Sequence, residues 1–438
     1  MEIDSTTLKD LSILDGSDDV SLFNKLNFCQ TSGGKEMLYK IFSTPLTNID
    51  AIAGIQQTLQ FIQQHIEYWP KQISNGSVMM IDKFYHATID DIPANPTPVG
   101  VLSYKIFSKS DFSFIKFSTE HAFDFLKGMQ QLLQFFLEEN TPAPLKKILT
   151  SISQSISREE FKVVAANKKS KDLSLTSQLT LANFLRYRFK QQMLLLLQHY
   201  YQLDAWFSMT IAVKQYQLNF PSFVPDQKPL LAVTGLFHIL LQQPVAYNVQ
   251  LQPGKNFLFL TGANMAGKST FIKSVGTAVF LAHIGMGVPA KNMQLSMFDG
   301  LLSNINVVDN IVKGESYFYN EVQRIKATVQ KISDGRNWLI LIDELFKGTN
   351  VQDAMKCSTT VIEGLLKMNK SLFVLSTHLY EIGEPLRQYS NIIFNYFETA
   401  VEDDQLLFSY QLKEGISNDR LGYLILKREG VVEMLRRL

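Results

Sequence analysis

The chain is poor in the features that mark secreted, membrane-spanning or polycationic proteins. Its 438 residues include two cysteines, Cys29 and Cys357, too few and too far apart for a disulfide framework or a thiolate zinc site. Excess charge is also missing. Lys and Arg number 42 against 41 Asp and Glu, a net of +1, so any contact with a polyanion must use a local patch. The opening residues MEIDSTTLKDLSILDG carry acids and lack a basic-then-apolar layout, so no signal peptide is expected, and a reducing, cytoplasmic setting fits the cysteine usage. The longest uncharged apolar stretch, residues 274–290, contains His283 and several glycines and reads as a buried core helix rather than a membrane span. No internal repeat or low-complexity tract is visible. What remains is a composition 46% hydrophobic and 19% charged, enough for two or three domains with large cores.

The texture changes near residue 220. Before it, apolar residues recur at helical spacing, as in residues 49–69, 121–137 and 175–218, with turn-rich breaks at residues 91–98 and 139–144. After Pro221, short apolar runs at residues 257–260, 338–342 and 372–375 alternate with helical segments. That alternation predicts a mostly parallel sheet covered by helices.

Gly262-Ala263-Asn264-Met265-Ala266-Gly267-Lys268-Ser269-Thr270 fit the pattern G-x-x-x-x-G-K-[ST], with an apolar strand predicted before it and a helix over residues 269–281 after it. In that context the glycines permit a turn whose N–H groups, with the positive end of the helix, face a phosphate. Lys268 would reach the β- and γ-phosphates of a nucleotide and the Ser269 hydroxyl would ligate Mg²⁺. A second element lies 75 residues beyond Lys268, where the apolar run 338–342 ends in Asp343 and Glu344. Asp343 would help hold Mg²⁺ and Glu344 would orient or deprotonate the attacking water. A third is Ser376-Thr377-His378 after the run 372–375, where His378 could sense a γ-phosphate.

These motifs, with the Asn264-Met265 pair inside the loop, resemble the MutS family of DNA mismatch-repair ATPases. Further blocks follow in order: residues 284–290, the stretch from Val308 through Ser316 to Glu321 that resembles the family's signature loop, residues 341–350, and residues 410–417 followed by Gly422. The first half resembles the family's helical core less tightly, through Ser21-Leu22-Phe23, Thr31-Ser32-Gly33-Gly34, Leu38, Pro45-Leu46 and Ile52, with Glu36 where the family usually has an arginine. Residues 31–34 also look like part of an ABC-transporter signature, but they lie upstream of the phosphate loop, so that reading is dismissed. The expected fold is an α-helical core and lever domain over residues 1–219, followed by an α/β P-loop, ABC-like ATPase domain over residues 220–438.

The resemblance implies an ATPase that uses ATP and Mg²⁺ and pairs with a second copy through its ATPase domains, Ser316 of one subunit acting at the nucleotide of the other. It places the adenine near residues 243–248, where Val245 stands in the usual aromatic position. Tyr247 could substitute, or could be a core tyrosine. No separate mismatch-reading domain, clamp insertion or nuclease domain is expected, and Phe136-Leu137-Glu138 reads as a chance match to a mismatch-reading element. A DNA contact stays open, because residues 146–190 hold ten basic and three acidic side chains, a net of +7. Lys168, Lys169 and Lys171 are expected near a hairpin tip, with Arg186, Arg188 and Lys190 on the next helix. Three readings follow: an ATP-gated dimer whose helical arms engage DNA, with branched or damaged DNA in view and a link to repair or recombination; the same ATPase acting on RNA or ribosomes; and an ATP-gated assembly protein whose basic arm is solvated surface.

Overall fold

The computed structural model describes residues 1–14, 20–225, 228–305, 317–402, 405–417, 426 and 430–436. Contacts divide the chain into two compact units. One comprises Met1–Lys25, Phe42–Ile52 and Gln215–Leu438, the other Leu26–Ile41 and Ala53–Lys214. A single cut near residue 220 therefore does not describe the contacts. The first residues join the strand-rich unit because Glu2 and Ile3 pair with Gly300 and Leu301 and the terminal amine donates to Pro45 and Leu46 carbonyls.

The helical unit is built on long amphipathic helices. In Lys109–Phe136, Phe112, Ile115, Ala122, Phe123, Leu126, Met129, Leu132 and Phe136 recur at three- and four-residue spacing and are buried. Neighbouring helices start at side-chain caps: Ser74 accepts from the Ser77 N–H, Thr97 from Gly100, and Ser174 from Ser177. Residues 91–97 are irregular and the next helix begins at Pro98, where proline suits the first turn. The Thr31-to-Gly34 stretch has a packing role. Buried Asp204 accepts from the Gln30 and Thr31 N–H groups at 2.9 Å each and from Thr31 Oγ1 at 2.7 Å. A Cβ on Gly34 would lie 2.1 Å from the Asp204 carboxylate, so only glycine allows this approach.

The strand-rich unit contains two sheets. The strands are β1 (Glu2–Ile3), β2 (Ser222–Val224), β3 (Leu231–Leu236), β4 (Tyr247–Leu251), β5 (Phe257–Thr261), β6 (Asn292–Ser296), β7 (Gly300–Asn304), β8 (Trp338–Asp343), β9 (Ser371–Ser376), β10 (Ile392–Glu402) and β11 (Gln405–Glu414). The larger sheet has the order β1-β7-β8-β9-β5-β10-β11, parallel throughout except for the β10–β11 hairpin. Strands β5, β8 and β9 are buried along their whole length, which is why they read as unbroken apolar runs. The smaller sheet runs β2-β6-β3-β4. Register sets the functional level: Leu260 lies opposite Ser376, and Ser376 opposite Asp343. Among the described residues no helix is long and apolar enough to cross a membrane.

The helix Lys268–His283, packed on the central strands, ends in a buried histidine. His283 Nδ1 lies 2.8 Å from the Val279 carbonyl and Nε2 accepts the Phe298 N–H at 3.1 Å, an arrangement suited to the neutral ring. Burial lowers its pKa from 6.5 to about 4. His238 is lowered to about 4 as well, by burial and then by Lys273 and Lys25. Both rings stay neutral in the fold while the unfolded chain takes up protons below pH 6.5, so stability is lost as pH falls from 6.5 towards 4. For His283 alone the loss between pH 7 and pH 5 is on the order of 2 kcal/mol. Urea melts at the two pH values should show His283→Gln less pH-sensitive than the wild type; equal sensitivity would contradict the assignment.

Candidate functional site

Strand β5 delivers the chain to Gly262, φ +139°, and the loop closes at Gly267, φ +108°, the left-handed residue immediately before the helix Lys268–His283. Both angles are disfavoured for residues with a Cβ, and a Cβ on Gly262 would also lie 3.2 Å from the Phe397 carbonyl oxygen. Met265 is left-handed too, at φ +67°, and is 74% exposed. Such a turn before a helix N-terminus is a ready anion site. The buried Lys268 ammonium donates to the Gly262 and Ala263 carbonyls at 2.8 and 2.9 Å and lies 3.3 Å from His378 Nε2. Burial lowers its pKa to about 8, against the opposing charges of Glu344 and Asp343.

Asp343 closes β8, buried, and accepts a hydrogen bond from Ser376 Oγ on the neighbouring strand. Glu344 turns off the strand end at φ +63° and donates its N–H to the Ser376 carbonyl at 3.0 Å. Its carboxylate lies 2.7 Å from His378 Nε2 and 3.1 Å from Lys347 Nζ. Burial pushes the Glu344 carboxyl up, but the His378 hydrogen bond and charge, with Lys347, outweigh it and hold the pKa at about 2. Glu344 is therefore ionised at neutral pH and, so placed, is a weak base that orients better than it abstracts. His378 bridges Lys268 and Glu344.

A cavity of about 460 Å³ collects these groups. Leu241, Gln243, Val245, Tyr247, Asn264, Met265, Gly267, Lys268, Ser269, Thr270, Glu344, His378 and Tyr410 line it. Asp343, Gly262, Ala263 and Ala266 are not on its wall. Tyr247 is both core and wall: it stands edge-on to Phe271 and Phe397 and lines the cavity. Tyr410 went unnoticed as a candidate in the sequence, although it opens the block 410–417. The β10–β11 hairpin brings its ring over the loop, 3.4 Å from where a Gly267 Cβ would stand. It is 41% exposed and left-handed, at φ +53°. A larger cleft of about 850 Å³, lined by residues of β3, β4, β10 and β11, holds none of the loop residues.

Residues 258–435 match the family model for MutS domain V. The match places residues 258–435 with the MutS family. The chain is 26% identical over 240 residues to the DNA mismatch repair protein MutS of Petrotoga mobilis, covering 54% of this chain and 29% of that protein. Against the DNA mismatch repair protein MutS of Pseudothermotoga lettingae it is 30% identical over 223 residues, 50% of this chain and 27% of the relative. Against DNA mismatch repair protein spellchecker 1 of Drosophila melanogaster it is 29% identical over 235 residues, 50% of this chain and 25% of the relative. The match thus spans between 25% and 29% of these relatives.

Ser316 lies outside the described residues. In the helical unit Lys168, Lys169, Lys171, Arg188 and Lys190 are exposed, the first three around a short 3-10 turn at Ser170–Asp172. Arg186 is different: it is half-buried, donates to the Ala87 carbonyl at 2.7 Å and lies over the Phe84 ring, so its charge is used inside the unit. An apolar run of helix left no sign in the sequence that Arg186 would turn inward.

Proposed function

We propose that the chain is a MutS-type ATPase that binds ATP at the 262–270 loop and couples its hydrolysis to DNA engagement in a repair-related role. The observation that carries this reading is the convergence of the loop, Lys268, Glu344 and His378 on one cavity within a MutS-family domain. The loop amides and the helix N-terminus receive the phosphates. Lys268 neutralises charge on the β- and γ-phosphates. His378 touches the γ-phosphate and passes its presence to Glu344, which orients the attacking water. Tyr410 and Tyr247, both on the cavity wall, offer the adenine an aromatic surface.

Ser269 and Asp343 suit Mg²⁺, an oxygen-seeking ion that is commonly held by one or two protein oxygens plus phosphate and water. Asp343 is buried with its Oδ1 accepting from Ser376, a setting in which a carboxylate gains from a neighbouring cation. When bound, the ion would neutralise charge building on the transferring phosphoryl oxygens. Two copies pair through these domains, Ser316 of one acting at the nucleotide of the other, so that ATP favours the pair. The exposed lysines and Arg188 of the helical unit contact the DNA backbone without reading sequence.

Glu344→Gln should bind ATP within about a fewfold of the wild type and turn over about 100-fold or more slowly. Phosphate release under single-turnover conditions checks this, and wild-type turnover would remove Glu344 from the mechanism. For the arm, Lys168, Lys169 and Lys171 changed together to Glu should abolish salt-sensitive binding to plain, mismatched and four-way-junction DNA, with and without ATP. Preference for structured RNA would favour the ribosomal reading, unchanged binding by the variant would reject the arm as the contact, and no nucleic-acid binding by the wild type would favour an assembly protein with a solvated arm.

A further inference from the structure

The turn that carries Glu344 is strained. Glu344 and Phe346 both sit in the left-handed region, at φ +63° and +60°, and neither is glycine. Strain of this kind persists only when surroundings over-determine it. Part of the restraint comes from the helix Tyr317–Ile332. Its buried Glu321 carboxylate accepts the Lys347 N–H at 3.1 Å and the Gly348 N–H at 3.2 Å, and Phe318 packs against Phe346 at 5.7 Å between ring centroids. The gap bounded by Asn304, Glu321, Arg324, Ile325, Glu344, Leu345 and Phe346 is about 10 Å³, at the lower limit for one water, so a shift of the helix passes directly to the turn.

The helix is in turn fastened from the N-terminal end of the chain. The Asp10 carboxylate accepts from Ser303 Oγ at 2.6 Å, the Ile305 N–H at 3.0 Å and Arg324 Nη2 at 3.2 Å. Arg324 also donates to the Ser303 carbonyl and to Asn304 Oδ1. Asp10 is held in place by its own segment: β1 pairs with β7, and Thr7 Oγ1 accepts the Ser303 N–H at 2.9 Å. One buried carboxylate therefore ties the end of β7 to the helix that steadies the turn of Glu344.

We propose that Asp10 and Glu321 are positioning residues of the ATPase site, acting on Glu344 through Arg324 and the helix Tyr317–Ile332. The inference rests on the hydrolytic reading of the Glu344 site given above. Misplacing a water-orienting carboxylate by a fraction of an ångström slows chemistry far more than it weakens nucleotide binding.

The experiment uses the full chain and compares wild type, Asp10→Asn, Arg324→Gln, the Asp10→Asn/Arg324→Gln double variant and Glu321→Gln, with kcat, KM, ATP affinity and Tm measured for each. Asp10→Asn should lower kcat about tenfold or more while ATP affinity stays within about twofold. The double variant, which removes both charges of the Asp10–Arg324 pair, should regain Tm without regaining kcat. A kcat per folded molecule that is unchanged in Asp10→Asn, or that returns together with Tm in the double variant, would reduce the cluster to a stabilising one and overturn the proposal. If Asp10→Asn does not fold, Glu321→Gln reads the same link, and a normal kcat there overturns it equally. A wild-type chain without ATP hydrolysis would instead strike down the proposed function, a result distinguishable from a hydrolysing chain indifferent to Asp10 and Glu321.

Discussion

Three parallel strands end at one level, and the candidate site depends on it. Pairing of β5 with β9 and of β9 with β8 sets Leu260, Ser376 and Asp343 side by side. Everything chemical then projects from the same edge: the 262–270 loop from β5, Asp343 and Glu344 from β8, and His378 from β9. A one-residue slip in either pairing would turn the strand-end side chains to the opposite face.

Around that edge the chain carries backbone strain. Met265, Glu344, Phe346 and Tyr410 are left-handed residues with side chains, and Gly262 and Gly267 take the angles that such residues avoid most. Of the six non-glycine positions with positive φ among the described residues, Ser12 and Gln217 lie away from the loop, the acidic turn and the β10–β11 hairpin. Strain at a cavity wall needs compensation elsewhere. Here it comes from the Ser376 carbonyl, the Glu321 carboxylate and the aromatic packing of Phe346. The same crowding explains the electrostatics: burial lowers Lys268, and His378 with Lys347 keeps Glu344 ionised.

Much of this was legible in residue patterns, for physical reasons. Buried parallel strands must be apolar throughout, so residues 257–260, 338–342 and 372–375 stood out. Phosphate loops need glycine at fixed offsets, so 262–270 stood out as well. What sequence could not convey arose from contacts between distant segments. Strand β1 has two residues and no run to notice. Asp10 looks like any surface acid until it is seen beneath Arg324, 314 positions away. Tyr410 reaches the loop only because β11 folds back on β10, and Arg186 looked like its basic neighbours until its guanidinium was found over Phe84. The smaller sheet was hidden because its strands are short and partly exposed, without the unbroken apolar signature of the larger one.

The cavity at the strand ends is proposed to take ATP through Lys268 and its loop. Titration calorimetry of the full chain with ATP and Mg²⁺, beside Lys268→Ala, tests it most directly. Saturable binding is expected of the wild type and its loss of the variant. Equal binding by both chains, or none by the wild type, would contradict the proposal.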